Sequence, residues 1–242
     1  MQRWKAVCCY DGSAFCEWQS QSNKLGVQDF LEARLQSIFK RHVRIHGSSR
    51  TDAGVHARQQ VFHFDADWSH PPLCLLNAIN SRLGRELQLS HIELVDDNFH
   101  ARFSSQGKHY SYFILNRKAN PFEWRYCWDI VRPLELQKMQ EAANLFMGTH
   151  DFTAFSGKVQ PGENTIKTLH NLQVTNDSFL RFDFKGSGYL YRMVRKIVGA
   201  LVMVSDSRLS CEKIRQLLAE PSKKIPITTA PARGLFLEEV YF

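Results

Sequence analysis

Residues 47–57, GSSRTDAGVHA, place an arginine, a carboxylate, two glycines and a histidine in one short stretch. A carboxylate held at a fixed point can act as a nucleophile or as a base. If the preceding RIHGSS is a strand, Arg50 and Asp52 fall on one side of it. The guanidinium would then favour the charged form of the carboxylate. Gly54 would let the backbone turn sharply or let a ligand come close. The same residues also fit a plainer role, in which Asp52 caps its own turn and Arg50 makes a surface ion pair. His56, with Ser48 or Ser49, invites comparison with a Ser-His-Asp triad. A strained nucleophile elbow is missing, and triad members are rarely sequence neighbours. Packing or backbone bonding is the expected fate of His56.

Other residues could contribute. Tyr110 and Tyr112 share one face of a strand-like run, where a tyrosine either fills the core or stacks on a base. Lys108, Arg117 and Lys118 nearby favour the second use. In GYLYRMVRKIVGALVMV (188–204) Leu190, Val194, Ile197 and Leu201 form an apolar stripe at helical spacing. Arg195 lies close to that stripe, and a buried arginine calls for a partner such as a carboxylate.

The elements that must hold these residues follow from pattern. Strands are expected over 5–12, 43–49, 60–66, 87–95, 108–116 and 234–242, with a hairpin over 169–186 turning at Asn176-Asp177. Helices are expected over 27–42, 71–83, 134–148 and 188–204. This element order gives an α+β fold, with mostly antiparallel sheets carrying helices on one face. Two domains are expected, 1–104 with the Arg50–Asp52 loop and 105–242 as the second half.

Composition narrows the chemistry. The 242 residues carry a net charge of +7, a usual footprint of a polyanion partner such as nucleic acid. P-loop, dinucleotide, H-E-x-x-H and G-x-S-x-G motifs are absent from the sequence. Cysteines at 8, 9, 16, 74, 127 and 211 show no C-x-x-C spacing, so reduced core thiols are expected, with no metal and no disulfide. The longest apolar run, 197–204, is far short of a membrane span, and a cytoplasmic protein is expected.

The chain resembles tRNA pseudouridine synthases of the TruA type. Seven blocks in order carry the resemblance: YDGSAFCEWQSQ (10–21), Gly47 to Ala57, FHARFSS (99–105), YSY (110–112), GTHDFTAF (148–155), MVRKIVGAL (193–201) and APARGLFLEEVYF (230–242). Glu17, where the family usually has glycine, and Lys167, where it often has arginine, depart from the pattern.

The resemblance implies a ferredoxin- or RRM-like pseudouridine synthase fold with sheets continuous around a central cleft. It implies conversion of uridine to pseudouridine at nucleotides 38, 39 and 40 of the tRNA anticodon arm, without cofactor. Asp52 becomes the catalytic carboxylate, as nucleophile or base. Arg50 displaces the target base, Tyr110 stacks on it and helps move a proton, and Arg195 partners the carboxylate. Leu190 and Val194 line the pocket. The family is homodimeric and binds tRNA in a basic cleft, to which Arg58, and also Arg34, Lys40, Arg41 and Arg44, could bring phosphate contacts. Two other readings remain. One is a non-catalytic tRNA-binding protein or RNA chaperone of this fold. The other is a carboxylate-dependent nuclease, which would want a metal or a second acidic residue near Asp52.

Overall fold

The computed structural model describes residues 1–222 and 225–242. In chain order the elements are β1 (Gln2–Tyr10), α1 (Val27–Phe39), β2 (Ile45–Gly47), β3 (His56–Ala66), α2 (Pro72–Asn80), β4 (Leu87–Val95), β5 (Gly107–Leu115), β6 (Trp128–Asp129), α3 (Leu136–Ala143), β7 (Gly148–Asp151), β8 (Ile166–Asn176), β9 (Leu180–Gly186), α4 (Met193–Ser205), α5 (Cys211–Ala219) and β10 (Leu235–Tyr241). The α+β class expected from the pattern is what the chain adopts. It forms two compact units, Met1–Gln106 with Phe236–Phe242, and Gly107–Leu235.

In the first unit the strand order is β4-β1-β3-β10, with β2 on the same β3. β1 pairs antiparallel with β3 and β4, whereas β10 runs parallel to β3 through Phe236 opposite His56 and Leu237 opposite Ala57. The sequence reading put residues 236–242 in the second half. They join the first because that parallel ladder, together with the Gln106 N–H donated to the Tyr241 carbonyl at 2.9 Å, ties them there. A pairing this distant in sequence leaves no local trace.

Alternation on β1 buries Trp4, Ala6, Cys8 and Tyr10. Phe62 and Phe64 of β3 share that face, meeting Trp18 at 6.2 Å and Phe39 of α1 at 6.5 Å between ring centroids. Buried Leu31 and Leu35 of α1 and Leu75 and Ile79 of α2 complete this core. The opposite face is polar: Arg3 donates to both oxygens of Asp65 at 2.8 Å, and Lys5 pairs with Glu93 at 3.0 Å.

The second unit has strand order β5-β9-β8-β7, all antiparallel, with β6 parallel to β5. Tyr110, Tyr112 and Ile114 of β5 are buried with Phe182 and Phe184 of β9 and Leu172 and Val174 of β8. α3 packs on α4 and on β8. α4 is buried all round from Ile197 to Ser205, as a central helix must be when it is apolar on every side.

Several boundaries differ from expectation. α4 starts at Met193, not 188, because Arg192 has a left-handed backbone, φ +60°, that no helix interior admits. β2 ends at Gly47, so residues 48–55 form an irregular loop. β3 starts at His56 rather than 60, drawn out by its pairing with β10 and with Tyr10 of β1. β8 begins at Ile166 and the hairpin turns at 177–179. The sequence reading gave no element to β6, β7 or α5. α5 nevertheless carries a readable start, since the Ser210 hydroxyl accepts the Lys213 N–H at 3.1 Å. All six cysteines are free thiols, but only Cys8 and Cys127 are buried and Cys74 is exposed, so they are not all core residues. Among the described residues no helix is long and apolar enough to cross a membrane.

Candidate active site

The loop from Ser48 to Val55 is held from beneath by buried polar groups. Gln60 of β3 is fully buried. Its side-chain amide donates to the Ser49 carbonyl at 2.7 Å, and its carbonyl accepts the Ser49 N–H at 3.2 Å. Thr51 is caught twice: its hydroxyl meets the Tyr10 hydroxyl at 2.8 Å, and its carbonyl accepts the Trp18 N–H at 3.1 Å. The Asp52 carbonyl accepts the Val55 N–H at 3.1 Å, closing a β-turn whose third residue, Gly54, has φ +78°. Residues on either side of Arg50 are thus anchored, while Arg50 is exposed and Asp52 half-buried.

Arg50 and Asp52 were expected to share a side because of strand alternation. That reason does not hold, since β2 ends before them. Their placement comes from the clamp on Ser49 and Thr51. Two small residues also have packing causes. A Cβ on Gly47 would lie 2.3 Å from the Trp18 indole nitrogen, and one on Gly12 would lie 2.0 Å from the Val55 carbonyl oxygen. His56 is buried, stacks on Phe236 at 4.5 Å, and brings Nδ1 to 3.1 Å from both the Gly12 N–H and Asp11 Oδ1. It serves packing and backbone bonding rather than a triad.

Upstream, Glu32 and Gln28 of α1 are nearly buried. Glu32 accepts the Ile45 N–H at 3.1 Å and the Gln28 amide at 2.8 Å, which fastens the short β2 to the helix. Sequence reasoning passed over Gln60, Tyr10, Gln28 and Glu32. The available signal was weak: Gln60 opens the run QVFHF but follows Arg58 and Gln59, and only its burial shows that its amide must find partners.

In the second unit Tyr110 is buried and meets Tyr189 edge-to-face at 5.1 Å. Tyr112 is wholly buried and donates its hydroxyl to the Pro231 carbonyl at 2.8 Å. Burial pushes its hydroxyl well above the usual tyrosine range, opposed by the charges of Arg195 and Arg233. Arg195 is in the first turn of α4, half-buried, and donates Nε–H to the Ala230 carbonyl at 2.7 Å. The Ala230 N–H returns to the Arg195 carbonyl at 3.1 Å, a two-way lock between α4 and residues 228–230. Leu190 and Val194, flanking this turn, are both buried. Asp52 and Arg50 therefore belong to the first unit, and Tyr110, Leu190, Val194 and Arg195 to the second.

Of the basic residues considered for phosphate, Arg58 is well exposed, pairs with Glu238 at 3.1 Å and lies 5.2 Å from the Phe236 ring centroid. Arg34 has a structural task. It donates to the Ala78 and Ile79 carbonyls at the C-terminal end of α2, the latter at 3.0 Å, where a cation suits the helix dipole. Arg44 pairs with Glu32 at 3.5 Å.

Residues 6–104 and 142–242 match the family model described as tRNA pseudouridine synthase. The chain belongs to the tRNA pseudouridine synthase family. It is 41% identical over 235 residues to tRNA pseudouridine synthase A of Staphylococcus aureus strain MRSA252, covering 96% of this chain and 89% of that one. It is 36% identical to the protein of that name from Streptococcus equi subsp. equi strain 4047, covering 100% of this chain and 99% of the relative. It is also 36% identical to tRNA pseudouridine synthase A 1 of Protochlamydia amoebophila strain UWE25, covering 100% and 97%. As a tRNA pseudouridine synthase the protein is an isomerase: uridine and pseudouridine have the same atoms, joined at different positions of the base. Glu17, one of the departures, bonds Gln21 through its side chain, and its carbonyl accepts the Val27 N–H at 3.0 Å. The departure thus sits in the chain that carries Trp18 beneath the loop.

Proposed function

We propose that this tRNA pseudouridine synthase acts on the anticodon arm, at nucleotides 38, 39 and 40, with Asp52 as its catalytic carboxylate. The observation that carries the reading is the clamp on the loop: bonds to Ser49 and Thr51 fix a backbone that carries exposed Arg50 and half-buried Asp52. Fixing a reacting carboxylate is how an enzyme converts binding energy into rate.

The reaction breaks the bond between ribose C1′ and uracil N1, turns the base, and joins C1′ to C5. The hydrogen on C5 leaves as a proton and N1 gains one, so no oxidant, reductant or phosphate is consumed. Asp52, ionised, acts as the nucleophile or the base. Arg50 fills the space vacated when the target nucleotide swings out, a step that costs a few kcal/mol of stacking. Tyr110 stacks on the uracil and moves a proton, and Arg195 pairs with the Asp52 carboxylate. Leu190 and Val194 wall the pocket and Arg58 meets RNA phosphate. The working form is a cytoplasmic homodimer, which sedimentation equilibrium would check: a monomer at micromolar concentration sinks that part.

The chemistry is tested by tritium release from a tRNA transcript carrying uridine labelled at C5. Wild type should release the label and Asp52→Asn should not, at equal tRNA binding. Equal release by both would remove Asp52 from the centre of the reaction. Release by neither, with binding intact, would favour the non-catalytic tRNA-binding reading.

A further inference from the structure

The segment leading into α4 exposes an aromatic ring and a guanidinium on a backbone that is hydrogen-bonded in place. Tyr191 is 46% exposed, although Leu190 before it and Met193 after it are buried. The Arg192 guanidinium carbon lies 4.8 Å from the centroid of the Tyr191 ring. Arg192 has φ +60°, a conformation that a non-glycine residue keeps only when its surroundings impose it. Those surroundings are on hand. The Tyr191 carbonyl accepts the Gly157 N–H at 2.8 Å and the Ser156 hydroxyl at 3.3 Å. A Cβ at Gly157 would come within 3.0 Å of the Tyr191 ring and 3.1 Å of Arg192 Cδ.

None of this ordering serves burial of the ring. Tyr189, two residues earlier, shows the ordinary alternative: half-buried, it meets Tyr110 at 5.1 Å and donates its hydroxyl to the Lys108 carbonyl at 3.2 Å. Residues 189 and 191 are at most about 7 Å apart along the chain. Tyr191 thus lies in the same short segment as Tyr189, the ring that meets Tyr110. An exposed ring with a stacked guanidinium suits a nucleobase and its phosphate.

We propose that Tyr191 and Arg192 form a stacking platform for a tRNA nucleotide next to the target uridine, with Tyr191 under the base and Arg192 at the phosphate. This rests on the assignment of the target base to Tyr110. A platform of this kind binds without reading sequence, which suits an enzyme acting at neighbouring positions of different tRNAs.

The experiment measures tRNA affinity in the Asp52→Asn protein, where no turnover intervenes, and KM and kcat by tritium release in otherwise wild-type protein. Tyr191→Ala should weaken binding by about 5- to 150-fold, the loss of one base stack. In turnover it should raise KM, with kcat within about threefold. Tyr191→Phe keeps the ring and should stay within about threefold in affinity. Arg192→Gly relieves the left-handed backbone, so it should fold at least as well as wild type while lowering the slope of log Kd against log salt by about one phosphate. Unchanged affinity in Tyr191→Ala, or a fall in kcat at constant KM, overturns the platform. Tritium release by wild type with Tyr191-independent binding defeats the platform alone. Absent release by wild type with Tyr191-dependent binding defeats the catalytic reading and leaves the platform standing.

Discussion

Gln60 shows how much one side chain can decide. Its amide satisfies both backbone groups of Ser49, as a neighbouring strand would, although no strand runs there. Replacing it with methionine keeps the volume and leaves the Ser49 N–H and carbonyl without that partner. Each buried polar group left unsatisfied costs about 1–3 kcal/mol. Gln60→Met should therefore lose about 2–6 kcal/mol in urea unfolding, and kcat for pseudouridine formation should fall more than tRNA affinity. A variant stable to within about 0.5 kcal/mol, the error of such measurements, would show that the loop holds itself. The residue types Arg50 and Asp52 were legible from the sequence. Their support was not, because an amide does not announce which backbone it will meet.

At the scale of elements, α4 depends on a close approach that its pattern hides. A Cβ on Gly199 would lie 1.8 Å from the Thr228 carbonyl oxygen. Alanine gains about 1 kcal/mol in helix propensity over glycine, but here it must push residues 228–230 away. Overpacking typically costs about 1–3 kcal/mol or more, and these residues also hold Arg195 through Ala230. Gly199→Ala should lower the urea midpoint and cut activity as sharply as a direct change at Arg195. An unaltered midpoint would mean that the segment yields freely. Helical spacing identified this helix and its apolar stripe, since periodicity is a local property. It could not place the start at Met193, because the left-handed Arg192 is fixed by Ser156 and Gly157, more than thirty residues earlier in the chain.

At the scale of the whole molecule, stability should depend on pH through His63 and His100 in the first unit. His46 of β2, His63 of β3 and His100 lie with ring centroids 5.0, 5.7 and 4.6 Å apart. His63 Nδ1 accepts the Ala101 N–H at 3.1 Å, and His100 Nδ1 accepts the Arg102 N–H at 3.1 Å, so both are held neutral. Burial, with His100, His46 and Arg3 nearby, pushes His63 down to about 4, against the pull of Asp65. Burial and the charges of His46, Arg3 and Arg102 lower His100 as well, opposed by a backbone hydrogen bond. Above about pH 6.5 both folded and unfolded chains carry neutral histidine. As pH falls the unfolded chain takes the proton first, so stability declines, and the His63 share of about 3 kcal/mol is lost by about pH 4. His63→Asn can still accept the Ala101 N–H and does not titrate. Its unfolding free energy should fall less than that of wild type between about pH 7.5 and 4.5. Parallel curves would place the sensitivity elsewhere.

The sequence by itself determined the α+β class, most of the helices and strands, and the residue types that make the family recognisable. These follow from periodicity, turn chemistry and short motifs, which act within a few residues. Tertiary structure alone decided that the last strand joins β3 and that residues 48–55 are irregular yet clamped. It also decided that Arg34 bonds the C-terminal carbonyls of α2, and that Tyr191 is exposed while Tyr189 is half-buried against Tyr110. In each case the deciding partner is distant in sequence. Buried polar groups take whichever partner the fold brings within about 3 Å, and that distance is not written in the neighbouring residues.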